Sequence, residues 1–225
     1  MSPFQMTVWR RALILLCCVL GCVESSSSSQ VLHRNKYNNS FRLTRSTRTR
    51  VQQLQRKYNE QQLGNKHFED RSRQLKDLPS LSTDFHGWLN KTEFERLHAA
   101  FLDMQAYWTT LERKRQQIEK EEKEQMVKRA PGTTLSRSIR HIQHDLRDLM
   151  SQVSSQMSYK NSSWTKPTFR TPLNPPTRSK TVWDSRVEGY IILRDLDLYL
   201  TKLARDFLLL ASKTHCDTHT KERND

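Results

Sequence analysis

Apolar residues recur at three- and four-residue intervals in four separate stretches, and the connections between those stretches run long, short, long. The first carries Val51, Leu54, Tyr58, Phe68 and Leu75 and predicts a helix A over 51–75, although its rhythm passes through the polar Gln61, Asn65 and Ser72. A break follows at Leu78-Pro79-Ser80. Thr92 then offers an N-cap with Glu95 three residues later, so that each side chain satisfies a free backbone donor of the other. Behind it Phe94, Leu97, Phe101, Met104, Trp108 and Leu111 define helix B, which continues into the charged run 112–128, where Ile118 is nearly alone. Opposite charges at i, i+4, such as Glu119 with Lys123, support such a segment by about 0.2–0.5 kcal/mol per pair. Arg129-Ala130-Pro131-Gly132 ends it. Leu135, Ile139, Ile142, Leu146, Leu149 and Val153 define helix C, which stops near Tyr159. The four prolines between 165 and 181 exclude helix there. Helix D starts beside Trp183 and turns Tyr190, Leu193, Leu196, Leu200, Leu203, Phe207 and Leu210 inward. Ile191, Ile192, Leu198, Leu208 and Leu209 widen its apolar surface beyond one face.

Connection lengths constrain how these helices are joined. A helix of about 25 residues is about 37 Å long, and extended chain covers at most about 3.3–3.6 Å per residue. Segments 77–91 and 160–181 can each cross that length, whereas the 129–132 turn cannot. B and C are therefore expected as an antiparallel pair, while A/B and C/D can each run parallel. The expected fold class is all-α: a four-helix bundle with the up-up-down-down, long-chain topology of growth hormones and helical cytokines. A long loop can also join antiparallel neighbours, so the lengths permit this order without requiring it.

The amino terminus changes the setting. Arg10 and Arg11 precede a short apolar run over 12–21 and a small, polar exit over 23–29, the pattern of a secretory signal peptide cut between Gly21 and Ser26. The run is too short to span a bilayer, and basic residues interrupt every later candidate, so no membrane insertion is expected. Leu20-Gly21-Cys22 loosely resembles a bacterial lipoprotein site, but that leucine is larger than such sites prefer. The division expected is a signal peptide (1–24), a flexible basic segment (25–50), the bundle (51–214) and a disordered tail (215–225). About 200 residues remain after the leader, enough for one domain. Five glycines in the whole chain argue against a hairpin-rich β architecture. Three of the four cysteines, Cys17, Cys18 and Cys22, fall in or beside the leader and leave Cys216. No internal disulfide framework is then available, and helix packing must supply the stability.

Candidate chemistry is sparse. His141, His144 and Asp145 share a stretch of helix C, and His215, Cys216 and His219 cluster in the tail, but neither set has enough ligands or a supporting shell for a metal site. No phosphate loop, nucleophile elbow or paired-cysteine motif occurs, so neither enzyme nor cofactor is expected. Asn38, Asn90 and Asn161 open sequons for N-linked glycans, each expected outside a helix interior. With 38 basic against 24 acidic residues the chain carries a net charge of +14. Arg42, Arg45, Arg48 and Arg50 form a spaced cluster suited to heparan sulfate. No aromatic residues interleave with them as nucleic-acid stacking would require.

In helix D, Trp183, Tyr190-Ile191-Ile192-Leu193, Leu196, Leu198, Leu200, Arg205 and the run Phe207-Leu208-Leu209-Leu210-Ala211-Ser212-Lys213 closely resemble the last helix of the interleukin-27 subunit alpha family, within the interleukin-6/interleukin-12 helical cytokines. Leu81, Phe85-x-x-Trp88 and Glu95-Arg96-Leu97 are similar to that family's approach to helix B, and Asp145-Leu146-Arg147-Asp148-Leu149 to its helix C. The resemblance runs from about 51 to 214. The chain departs from the mammalian pattern in having a basic, proline-rich C/D loop where that pattern has a long acidic run. The resemblance implies a secreted subunit that forms a heterodimer with a soluble receptor-like beta subunit. It also implies engagement of the interleukin-27 receptor alpha chain and glycoprotein 130, with JAK-STAT signalling in immune regulation. It assigns Trp88 and Arg205 to the beta-subunit contact and Trp183 to the signalling-receptor contact. The alternatives are that Trp88 and Trp183 cap the core from loops and that Arg205 is merely solvated. Two further functional readings stand beside this one: a single-chain interleukin-6-family cytokine, and a secreted basic glycosaminoglycan-binding protein.

Overall fold

The computed structural model describes the backbone of residues 3–81, 85–125, 134–160 and 181–221, with side chains described within 31–81, 87–124, 134–159 and 181–213. Helices α1 (Pro3–Gln62), α2 (Phe85–Asn90), α3 (Glu93–Gln125), α4 (Leu135–Lys160) and α5 (Val182–Lys221) account for nearly all of it, and no strand occurs among the described residues. The architecture is all-helical, with α1, α3, α4 and α5 packed into a bundle around one core.

Helix α1 departs from the expected helix A at both ends. The segment 31–50, expected to be flexible, is helical and packed, with Tyr37, Ser40, Thr44 and Thr47 buried ahead of Val51, Leu54 and Tyr58. These seven positions keep one unbroken 3/4 spacing, but hydroxyls stand where apolar side chains would signal a core face. Burial is tolerated because each hydroxyl is bonded. Thr44 donates to the Ser40 carbonyl at 2.7 Å, Thr47 to the Leu43 carbonyl at 2.8 Å, and Ser40 to Gln152 on α4 at 2.7 Å. At the other end α1 stops at Gln62, not near Leu75. Gly64 takes a left-handed φ of 67° just beyond it, a conformation that ends a helix at little cost only for glycine. Phe68 and Leu75 pack on the core from the connection instead of from a helix.

The later helices follow their sequence pattern closely. Thr92 and Glu95 form the reciprocal cap: the Thr92 N–H donates to Glu95 at 2.8 Å and the Glu95 N–H donates to Thr92 Oγ1 at 3.2 Å. On α3 Phe101 is fully buried as expected, but Tyr107, one position off the expected stripe, is fully buried in place of Trp108, which packs at the edge. All six apolar positions predicted for helix C are buried, and all seven for helix D. Ile191 and Ile192 are buried too, but Leu198 and Leu208 face outward at 50% and 51% exposure. The α5 backbone continues helically to Lys221, past the point where a disordered tail was expected; side chains beyond 213, including His215, Cys216 and His219, lie outside the described residues.

Contacts between helices follow regular trends in numbering. From α1 to α5, Arg48 meets Asp197 at 2.9 Å and Tyr58 donates to the Arg186 carbonyl at 2.9 Å. From α1 to α4, Ser40 meets Gln152 and Gln156, and Arg50 meets Asp145 at 2.6 Å. From α3 to α4, Glu112 accepts from Gln143 at 3.0 Å, and Glu122 accepts from the Leu135 N–H at 2.8 Å. From α3 to α5, the Ala100 carbonyl accepts from Tyr199 at 3.1 Å and Lys114 donates to Ser185 Oγ at 3.0 Å. Numbers rise on one member of each pair as they fall on the other.

Candidate functional site

The three side chains singled out in the sequence stand at two separate places on α5 and its neighbours. Trp88 belongs to the first. It is half-buried on α2, and its indole N–H donates to Asp206 Oδ1 at 2.7 Å. Arg96, only 5% exposed, lies over the Trp88 ring at 4.4 Å and faces Asp206 at 3.5 Å. The same guanidinium donates to the carbonyls of Trp88 at 2.5 Å, Leu89 at 3.2 Å and Lys91 at 3.1 Å. One buried cation thus satisfies the carbonyls at the end of α2 and locks the α2–α3 corner onto α5. Burial pushes the Asp206 carboxyl above its ordinary range, against the opposing effects of the Trp88 hydrogen bond and the Arg96 charge. Arg205 is exposed beside it, and its charge reaches Asp206. Leu89 is exposed next to Trp88, and Arg205 and Leu208 are exposed on α5 either side of Asp206 in sequence.

Trp183 opens the second place, in the first turn of α5. Thr181 caps that turn, accepting from the Asp184 N–H at 3.0 Å. Trp183 is 47% exposed and stands edge-on to Phe68 with centroids 6.0 Å apart, and Phe68 in turn stands edge-on to Tyr190 at 5.0 Å. The 68–73 segment is held to α5 by Arg194, which donates to the carbonyls of Asp70 and of Arg73, the latter at 2.8 Å. Asp70 accepts from the backbone N–H groups of Ser72 at 2.9 Å and Arg73 at 3.2 Å, and these bonds hold its carboxyl below the ordinary range. Between this segment and Val187 lies an open cleft of about 470 Å³ with Trp183 on its rim. Trp183 thus has one side on Phe68, which packs on the core, and nearly half of its surface open.

Among the sequons, Asn90 is exposed at the end of α2. Asn38 contradicts the expectation that every acceptor lies outside a helix interior. It sits within α1, half-buried, and its sequon serine Ser40 is fully buried against α4. Asn161 lies outside the described residues. The arginine cluster is also divided: Arg48 pairs with Asp197 and Arg50 with Asp145, and only Arg42 and Arg45 remain exposed without an ion pair among the described residues. His141 and His144 are exposed on α4, where Asp145 is turned inward to Arg50. No described helix is long and apolar enough to cross a membrane.

Sequence reasoning did not single out Asp206, nor the role of Arg96. Asp206 sits between the inward Leu203 and Phe207, and a carboxylate at the edge of an apolar stripe signals a buried partner. Nothing in the spacing marks Arg96, because its hydrogen bonds shorter than 3.5 Å all go to backbone carbonyls. No protein-family model matches the chain, and no curated protein matches its sequence.

Proposed function

We propose that the chain is a secreted, glycosylated helical cytokine subunit that acts by binding and carries out no catalysis, and that its four long helices run up-up-down-down. The observation that carries this reading is the numbering trend across the helix contacts. Residues on α1 and α3 rise together against falling numbers on both α4 and α5, and Tyr58 and Lys114 approach Gly189 from α1 and α3 at one level. Two overhand connections are the economical way to join such helices, and that arrangement belongs to the long-chain cytokines. The resemblance of α5 to the interleukin-27 subunit alpha family supplies the partners: a soluble receptor-like beta subunit, then the interleukin-27 receptor alpha chain and a glycoprotein 130-type receptor. Trp88 and Arg205 are the proposed beta-subunit contacts and Trp183 the signalling-receptor contact. Tryptophan and arginine are the residue types that most often dominate interface energetics.

A second reading, a single-chain cytokine, is favoured by one observation: the Trp88 indole N–H already has a partner within the chain, Asp206. Co-expression with a candidate beta subunit, followed by co-precipitation and a STAT-phosphorylation reporter, separates the two. Arg205→Ala is expected to weaken pairing by about 2 kcal/mol, the scale of an interface hot spot, and Trp183→Ala to leave pairing intact while abolishing the reporter signal. Full activity of the chain secreted alone would favour the single-chain reading. Loss of folding in Trp183→Ala would remove its receptor assignment.

A further inference from the structure

Helix α4 presents a face that the cytokine reading does not use. Arg137, Arg140, His141, His144 and Arg147 are all exposed, and at 3.6 residues per turn they fall within an arc of about 120°, extending about 15 Å along the axis. Asp148 is the single carboxylate within the same arc. The carboxylates that could quench this stripe from neighbouring positions are committed elsewhere. Asp145 is turned inward to Arg50 at 2.6 Å. On α3, Glu112 and Glu119 are both held by Arg115 at 2.6 Å, and Glu122 accepts from the Leu135 N–H and the Ser136 hydroxyl at the start of α4. None of Arg137, Arg140 and Arg147 forms an ion pair among the described residues; Arg147 lies over the Trp108 ring at 5.8 Å, held in place with its charge still outward.

We infer that this face of α4 is a binding site for a linear sulfated polysaccharide. A band of guanidinium and imidazole donors along one face matches an extended polymer with repeating anionic groups, and guanidinium pairs with such oxyanions in a bidentate manner. Along the band's length of about 15 Å no aromatic side chain of α4 is exposed to stack on bases. Tyr159, the exposed aromatic further along the same arc, lies about 18 Å past Arg147 and is taken up by His33 and Lys36. This sets a sulfated sugar ahead of a nucleic acid. The site also replaces the arginine cluster of α1, half of which is taken up by Asp197 and Asp145.

The test is direct binding of the full chain to a heparin oligosaccharide over a range of salt. Two charge-matched variants are compared: Arg137→Gln/Arg140→Gln/Arg147→Gln on α4, and Arg42→Gln/Arg45→Gln/Arg56→Gln on the exposed face of α1. The α4 variant is expected to bind about tenfold or more weakly near 0.15 M salt, with the slope of log Kd against log salt reduced by about two to three, since each lost contact releases fewer counterions. The α1 variant should change little. Equal weakening in both would reduce the effect to net charge and overturn the site, as would an α4 variant that binds like the parent. Equally tight binding of a single-stranded DNA oligonucleotide of matched charge, lost in the same α4 variant, would overturn the sulfated class. If loss of the Arg147–Trp108 contact disturbs folding, Arg137→Gln/Arg140→Gln alone must still weaken binding.

Discussion

Gly189 offers the sharpest test of how the helices meet. A methyl group at this position would lie 2.6 Å from Tyr58 Cζ, closer still to the Tyr58 hydroxyl, and 2.7 Å from Lys114 Cε, where carbon contacts are comfortable at about 3.5–4.0 Å. Neither neighbour can retreat freely. Tyr58 is fully buried and donates to the Arg186 carbonyl at 2.9 Å; Lys114 is buried and donates to the Ser185 carbonyl at 2.5 Å and to Gln117 at 3.1 Å. In an exposed helix Gly→Ala would gain about 1 kcal/mol of propensity. Here overpacking costs about 1–3 kcal/mol, and displacing a buried hydrogen-bonded group adds about 1–3 kcal/mol. Gly189→Ala is therefore expected to destabilise the fold by about 2–3 kcal/mol net, or about 5–10 °C in Tm for a chain of this size. Urea and thermal melts followed by circular dichroism read the change, and Tyr58→Leu in the Gly189→Ala background should recover part of it. A Gly189→Ala protein as stable as the parent, or more so, would mean that α1 and α3 do not converge on α5 at this level. The helix order proposed above would fall with it.

Three further outcomes follow from particular contacts. Tyr37→Ala and Thr47→Asp should each lower stability by about 3 kcal/mol in urea melts, because both side chains are fully buried; an unchanged melt would return segment 31–50 to the flexible state expected from its sequence. The Arg115 hydrogen bond holds the Glu112 carboxyl at about 2, so its stabilisation is complete above the ordinary 4.5 and disappears as pH falls from 4.5 to about 2. Glu112→Gln should accordingly lose about 1 kcal/mol at pH 7, a value typical of a partly solvated pair, and almost nothing at pH 2, a difference that urea midpoints at the two pH values reveal. If the chain is expressed through a eukaryotic secretory pathway, removal of N-linked glycans should produce a mass shift that maps to Asn90 and not to Asn38, by peptide mass spectrometry.

How much of this was legible in the sequence depended on what kind of side chain faces the core. Helices α4 and α5 bury Leu, Ile, Val and Phe at regular spacing, and their inward residues could be read off directly. The first half of the packed part of α1 could not, because Ser40, Thr44 and Thr47 stand at core positions and are made compatible with burial only by bonds to their own helix and to α4. Gly64 was visible as a residue but not as a stop, since only its left-handed backbone shows that the helix ends there. The candidate sites divide in the same way. Trp88, Arg205 and Trp183 stand out by residue type. Arg96 is invisible without coordinates, because its closest bonds go to three carbonyl oxygens that no side-chain pattern encodes.

That difference bears on how the two tryptophans work. Trp88 is fixed by Asp206 and covered by Arg96, so its substitution removes a support of the α2–α3 corner and leaves Asp206 with only the longer 3.5 Å contact to Arg96. A loss of partner binding in Trp88→Ala would therefore mix structural and interfacial effects. Arg205 is exposed beside the same cluster, and changing it leaves the Trp88–Asp206 hydrogen bond in place, which makes it the cleaner probe of that end. Trp183 differs in kind: its described ring contact is with Phe68, and nearly half of its surface is open at the rim of the 68–73 cleft. A large aromatic surface left in water at the mouth of a helix contributes little to folding, and covering it adds to binding free energy. The proposed signalling contact is therefore tested first at Trp183, with Trp183→Phe as the variant that keeps the apolar edge against Phe68 while reducing the area open to a receptor.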